Sequence, residues 1–189
     1  MKKALVAVLG IALLCVFACF AMAQVPNVQV YFDAAHTQTQ TYCGPSGNLT
    51  TLYVVMNNWN MNIIGVDFSV NHSPSLIWVA DVLPNPSSST SVGQSPTGIA
   101  ITYASCCYLS GFVNNEVLQI TASWASCECG GETQPVVVGG YTPLGKTQPT
   151  AIRREDHVTF GGVGMVSLIW CAPVATQPST WGRVKELYR

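Results

Sequence analysis

Apolar and polar residues alternate with a period of two along most of this chain. Val28, Val30 and Phe32 alternate with Gln29 and Tyr31. Leu52, Val54 and Met56 share one side of the next run. Ile64, Val66, Phe68 and Val70 alternate with Gly65, Asp67 and Ser69, and Ile99, Ile101 and Tyr103 alternate with Ala100 and Thr102. Leu118, Ile120, Ala122 and Trp124 oppose Gln119, Thr121 and Ser123. Val166, Leu168 and Trp170 close the series, so this reading puts both Trp124 and Trp170 on the apolar side. Successive side chains of a strand point to opposite faces, so each run gives one covered and one wetter face. Cys43-Gly44-Pro45-Ser46-Gly47-Asn48 and Pro84-Asn85-Pro86 read as turns, and Gly161-Gly162 reads as a hairpin turn. The pattern predicts an all-β fold, an antiparallel two-sheet sandwich of jelly-roll or immunoglobulin-like type. No fixed-period repeat points to a solenoid or propeller.

The two ends break the alternation. Lys2 and Lys3 precede an unbroken apolar run from Ala4 to Phe20, and Ala21-Met22-Ala23 follows. Residues 1–23 therefore read as a helical, cleavable signal peptide, too short for a membrane span. The expectation is export, to the medium or the cell surface, with no membrane span left after cleavage. The sandwich is expected over residues 24–171. Residues 172–180 are rich in Pro, Thr and Ser and read as a linker. Residues 181–189 read as a short amphipathic helix with Trp181, Val184, Leu187 and Tyr188 on one face. That segment either docks back on the sandwich or engages a partner as a tethered tail.

Composition narrows the function. Only 9% of residues are charged and the formal net charge is −1. With no basic patch, there is no electrostatic footprint for nucleic acid or anionic lipid. In an exported chain Cys43, Cys106, Cys107, Cys127, Cys129 and Cys171 meet an oxidising compartment and are expected as disulfides. If each strand reverses the last, Cys43, Cys106, Cys107 and Cys171 share one rim, with Cys127 and Cys129 on the other. That count favours a bond from Cys43 or Cys171 to Cys106 or Cys107. A zinc site made from Cys106, Cys107, Cys127 and Cys129 is the alternative, but neither pair has zinc-knuckle spacing.

Catalytic signatures are lacking. His36, His72 and His157 sit in or beside polar segments, and no Gly-x-Ser-x-Gly elbow occurs. Glu155-Asp156-His157 reads as a solvated strand edge. The carboxylates are scattered, with no indicated pair for glycoside hydrolysis. Among aromatics, Trp59 lies in an Asn-rich loop, Tyr31 and Tyr53 lie opposite the apolar positions, and Tyr42 and Tyr108 lie in loops. Trp59, Tyr31, Tyr53 and Tyr108 are the candidate ligand contacts.

Between residues 52 and 124 the strands follow a particular order. Asn57-Asn58-Trp59-Asn60-Met61-Asn62 precedes Ile64-Gly65-Val66-Asp67-Phe68-Ser69-Val70. Leu76-Ile77-Trp78-Val79 leads into a Ser/Pro/Gly loop, followed by Gly98 to Tyr103 and Val117 to Ala122. This arrangement resembles the cohesin and carbohydrate-binding-module type of secreted bacterial β-sandwich. The resemblance implies a jelly roll that binds other secreted modules or polysaccharides and does no chemistry. The chain departs from that type in its cysteines and in showing no obvious ligand-facing strip. The expectation is a secreted, non-enzymatic module without a cofactor, whose partner is a secreted protein or a polysaccharide. Two alternatives stand beside it. One is a self-associating subunit of a fibre or surface layer built through strand edges. The other is a jelly-roll hydrolase, which needs a concave face holding two carboxylates or a His with a charged neighbour.

Overall fold

The computed structural model describes residues 25–59, 61–104, 115–125 and 132–171. In chain order the strands are β1 (Asn27–Tyr31), β2 (Gln40–Tyr42), β3 (Leu49–Asn57), β4 (Ile63–Asn71), β5 (Leu76–Val82), β6 (Ser89–Gln94) and β7 (Gly98–Tyr103). After them come β8 (Glu116–Trp124), β9 (Thr133–Gly139), β10 (Thr150–Arg153), β11 (Thr159–Gly161), β12 (Val163–Gly164) and β13 (Val166–Trp170). A 3-10 turn spans Thr142–Leu144. One sheet runs β12-β1-β3-β8-β5. The other runs β11-β10-β4-β9-β13-β2, with the β6–β7 hairpin joined to β4 through β7. The architecture is all-β with two sheets, as the alternation predicts.

Alternate side chains of facing strands fill the space between the sheets. Val28, Val30, Leu52, Val54, Met56, Leu118 and Ile120 come from one sheet. Val66, Phe68, Val70, Ile99, Ile101, Val136 and Ile169 come from the other. Each fully buried aliphatic or aromatic side chain contributes about 1.5–3 kcal/mol against exposure. With few charged groups to drive solubility of one face, this apolar periodicity is what assigns inside and outside.

Along one side the sheets are joined where the chain passes from β12 to β13. β12 pairs in parallel with β1, and one residue later β13 pairs with β9 in the other sheet. Met165 between them donates its N–H to the Val28 carbonyl and accepts from the Val138 N–H, at 2.9 and 3.1 Å. Close approach is needed here: a Cβ on Gly164 would stand 1.9 Å from the Val138 carbonyl oxygen. On the opposite side, Asp81 of β5 accepts from the Ser95 N–H and hydroxyl, both at 2.7 Å. Ser95 lies in the β6–β7 turn, and its carbonyl accepts from the Val70 N–H of β4.

Four expectations change. The sandwich is not wholly antiparallel, because β1–β12 and β2–β13 are parallel pairs. Parallel pairs need a long crossover connection rather than a tight turn. Gly161-Gly162 is accordingly not a hairpin turn; it carries the chain from β11 in one sheet to β12 in the other. The phase of β13 is the reverse of that read from sequence: Ser167 and Ile169 are fully buried, while Val166 is 50% and Trp170 41% exposed. A serine can take the inner position because its polar atoms are satisfied. Its hydroxyl donates to the Val30 carbonyl and accepts from Gln29 Nε2, both at 2.6 Å. Finally, the end of β8 shares a rim with the Cys43 loop, since Gly47 N–H donates to the Trp124 carbonyl and Trp124 N–H to the Asn48 carbonyl. Counting simple reversals placed these ends on opposite rims. Residues 1–24, which include the expected signal peptide, residues 172–189 with the expected linker and helix, and Cys106, Cys107, Cys127 and Cys129 lie outside the described residues.

Gly164→Ala is expected to destabilise the fold by about 1–3 kcal/mol, because the clashing atom is backbone and cannot rotate away. Gly161→Ala, whose Cβ meets nothing within 4 Å, is expected to stay within about 0.5 kcal/mol of wild type. Urea unfolding of both variants checks the pair.

Candidate functional site

The reversed phase of β13 has a consequence on the outer side of the sheet. Val166, Leu168 and Trp170 point away from the core, beside Val137, Pro135 and Thr133 of β9. On the other flank Trp170 stands opposite Tyr42 of β2, and Leu168 opposite Gln40. Tyr42 is 77% exposed. None of the residues of β2, β9 and β13 carries a formal charge. The strip is therefore apolar, neutral and aromatic at one end.

The aromatic end is held in place. Trp170 Nε1 donates to Gln40 Oε1 at 3.1 Å. Cys43 N–H donates to the Trp170 carbonyl at 2.9 Å, and Leu168 N–H to the Thr39 carbonyl at 3.0 Å. Cys43 and Cys171, the residues that follow Tyr42 and Trp170, are both disulfide-bonded. Exposed Trp and Tyr on a pre-ordered backbone bury large area at little further entropic cost on binding.

The aromatics singled out from sequence lie elsewhere. Trp59 is buried at 4% exposure, with Nε1 donating to the Asn27 carbonyl at 3.0 Å. Its loop folds inward over the sheet crossing, where a Cβ on Gly162 would meet its ring at 2.3 Å. Tyr31 and Tyr53 are half-buried neighbours beneath His36, with ring centroids 5.6 and 5.8 Å from the imidazole. The loop carrying His36 is drawn across them by hydrogen bonds. His36 Nε2 pairs with Glu116 Oε2 at 3.0 Å, and Gln119 Nε2 donates to Glu116 Oε1 at 2.7 Å. Asp33 closes the loop by accepting from the N–H groups of Thr37 and Gln38 and from the Thr37 hydroxyl. Those hydrogen bonds hold the Asp33 carboxyl below the usual range against the opposing effect of desolvation. Tyr108 and the residues Trp181, Val184, Leu187 and Tyr188 lie outside the described residues.

Sequence reasoning missed Trp170 and Val166 as surface residues. Leu168-Ile169-Trp170 is apolar throughout, so either phase of the strand satisfies hydrophobic periodicity. The usable signal was Gln29 on the neighbouring strand, a polar partner able to satisfy an inward Ser167.

Two groupings of catalytic residue types are engaged in structural contacts rather than arranged as nucleophile and base. Ser95 and Asp81 do meet, but the serine donates directly to the carboxylate and is fully buried, and the buried Nε2 of His72 bonds to neither. A nucleophile needs a base on its hydroxyl and access to substrate. In Glu155-Asp156-His157, Asp156 is engaged by the Arg153 guanidinium, which pulls its carboxyl down to about 2. Glu155 accepts from Asn62 Nδ2 at 2.5 Å. Both carboxylates serve the hairpin. No group of three or more His, Cys, Asp or Glu that could hold a metal ion occurs among the described residues.

The fold has known counterparts. No protein-family model and no curated protein matches the chain. Among solved structures it is similar to a cohesin module from a Clostridium perfringens family 33 glycoside hydrolase, at 9% identity and a TM-score of 0.54. That match covers 78% of this chain and 96% of the other. The third ScaB cohesin of R. flavefaciens, solved with a group 1 dockerin, matches at 10% identity and a TM-score of 0.52, covering 77% and 94%. The sixth cohesin of Acetivibrio cellulolyticus scaffoldin B, solved with a Cel5 dockerin, matches at 12% and 0.51, covering 77% and 97%. The fold is cohesin-like, as the strand order between residues 52 and 124 implied.

Glu116→Ala is expected to lower stability by about 1.5–3 kcal/mol, the usual worth of a hydrogen bond to a charged group. Thermal or urea unfolding measures it, and faster exchange of the amides at residues 32–39 would place the loss in the loop.

Proposed function

We propose that this chain is an exported, non-enzymatic binding module that engages a protein partner through the outer side of β9, β13 and β2. The observation that carries this reading is the in-register pair of exposed aromatics, Trp170 and Tyr42, in a strip without formal charge. Aromatic residues dominate interface energetics, and charges are depleted from interface centres. The strip continues from the rings into Val166, Leu168, Val137 and Pro135, an aliphatic surface that suits protein side chains better than a polyol. Two of the structural neighbours are solved as complexes with dockerin proteins, which agrees with a protein partner. The Lys2 to Ala23 segment and the disulfide-bonded state of Cys43 and Cys171 support an exported destination.

Assembly of copies through strand edges has less behind it. The edge strand β5 exposes Ile77, Val79 and Val82, but its pairing is interrupted by a bulge between Trp78 and Ala80. Bulges of this kind blunt an edge against further strand addition.

The test is capture from the host's secreted fraction on immobilised protein, identification of the bound species, and titration of the purified partner. Trp170→Ala is expected to weaken binding by about 2 kcal/mol or more, roughly thirty-fold, with an unchanged circular dichroism spectrum. Equal binding by wild type and Trp170→Ala, or binding to polysaccharide and to no protein, contradicts the proposal.

A further inference from the structure

We propose that His72, Asp81 and Ser95 form an acid-sensitive seam between the two sheets, which loosens β5 from the β6–β7 turn when His72 takes up a proton. This does not rest on the partner-binding reading.

Three observations carry it. First, the seam is a tie between sheets on the side away from the β12–β13 crossing. Asp81 belongs to the five-stranded sheet, whereas Ser95 belongs to the β6–β7 hairpin and accepts the Val70 N–H of β4 at 2.7 Å. Second, both Asp81 oxygens are in use. Oδ1 accepts from the Ser95 hydroxyl at 2.7 Å and from Trp78 Nε1 at 3.2 Å, and Oδ2 accepts from the Ser95 N–H at 2.7 Å. Ser95 itself is fully buried. Third, His72 follows β4 directly, and its Nε2 is buried without a hydrogen-bond partner.

The chemistry follows from these positions. His72 stands two residues beyond Val70, whose N–H is bonded to the Ser95 carbonyl, and Asp81 of β5 acts on the imidazole through its charge. Burial pushes the imidazole below its ordinary value, and Asp81 only partly offsets this. The unfolded chain therefore binds the proton more readily than the folded one. In this window the folded state loses stability as pH falls below about 6.5, and the loss is complete once the folded imidazole has titrated. A proton on His72 has two ways to be accommodated. The imidazolium can draw the Asp81 carboxylate toward itself, which leaves the Ser95 N–H and hydroxyl unpaired in the interior. Alternatively water can enter to solvate the ring. Both separate β5 from the turn, because the same carboxylate makes the tie.

The experiment follows the wild-type protein by NMR from pH 7.5 to pH 5. The His72 ring resonances give its titration, and the Ser95 amide gives the seam through exchange rates corrected for intrinsic chemistry. The expected result is a several-fold rise in Ser95 amide opening with the same midpoint as His72. His72→Gln, which cannot be protonated, is expected to flatten that response and leave Ser95 protected at both ends of the range. A Ser95 amide that stays protected through the His72 titration overturns the proposal. So does an undiminished acid response in His72→Gln. Because wild type alone decides the first outcome, failure of the variant to fold does not shelter the inference. Loss of partner binding in Trp170→Ala bears on neither readout.

Discussion

The buried hydrogen bonds that tie Gln29 and the Val30 carbonyl to the Ser167 hydroxyl govern more of this structure than any single apolar contact. They lie where the chain leaves one sheet and enters the other. An inward serine in a sandwich core is costly unless both its donor and its acceptor capacity are used. Here both are used by the adjacent strand. The phase of β13 is set by that satisfaction. Once Ser167 is inside, Val166, Leu168 and Trp170 have to be outside, and the neutral aromatic strip exists as a consequence.

Charge plays a different part in this chain. With so few ionisable groups, nearly every one that the structure describes works on a loop or a junction. Lys146 bonds Asp67 and Thr150 and holds the loop after β9 against β4 and β10. His36 and Glu116 fasten the loop that leads to β2, and Arg153 with Asp156 shapes the β10–β11 hairpin. Exposed pairs such as the last contribute little to stability, but they fix local geometry. The outer faces are left to Thr, Ser, Gln and aliphatic side chains. On β3, β8 and β5 the exposed residues Leu49, Ile77, Val79 and Val82 share a sheet surface with Thr51, Thr121 and Ser123. Such surfaces are suited to contact rather than to polarising a bond.

Much of the fold was legible because period-two alternation is a direct image of the pleat. Val28 and Val30, Leu52 to Met56, Val66 to Val70, and Leu118 to Trp124 all lie inside as read. The loose match of strand order to cohesin modules was legible for the same reason. The failures share a cause. Parallel pairing, the sheet-changing role of Gly161-Gly162, and the rim shared by the Cys43 loop and the end of β8 are non-local facts that alternation does not encode. Trp59 stood as a candidate ligand contact because its sequence neighbours are polar; it is buried because its indole reaches the Asn27 carbonyl on a strand far away in sequence. Trp170 looked buried because its sequence neighbours are apolar; it is exposed because a serine three residues earlier found partners across the crossing.

That inversion between two tryptophans can be measured directly. Hydroxyl-radical footprinting of the folded protein, read by mass spectrometry, reports side-chain accessibility residue by residue. The account predicts rapid oxidation of Trp170 and Tyr42, with Trp59 and Trp124 protected until the protein unfolds. Protection of Trp170 to the same degree as Trp59 would mean that β13 presents its other face. The strip would then not exist, and the binding reading built on it would fall.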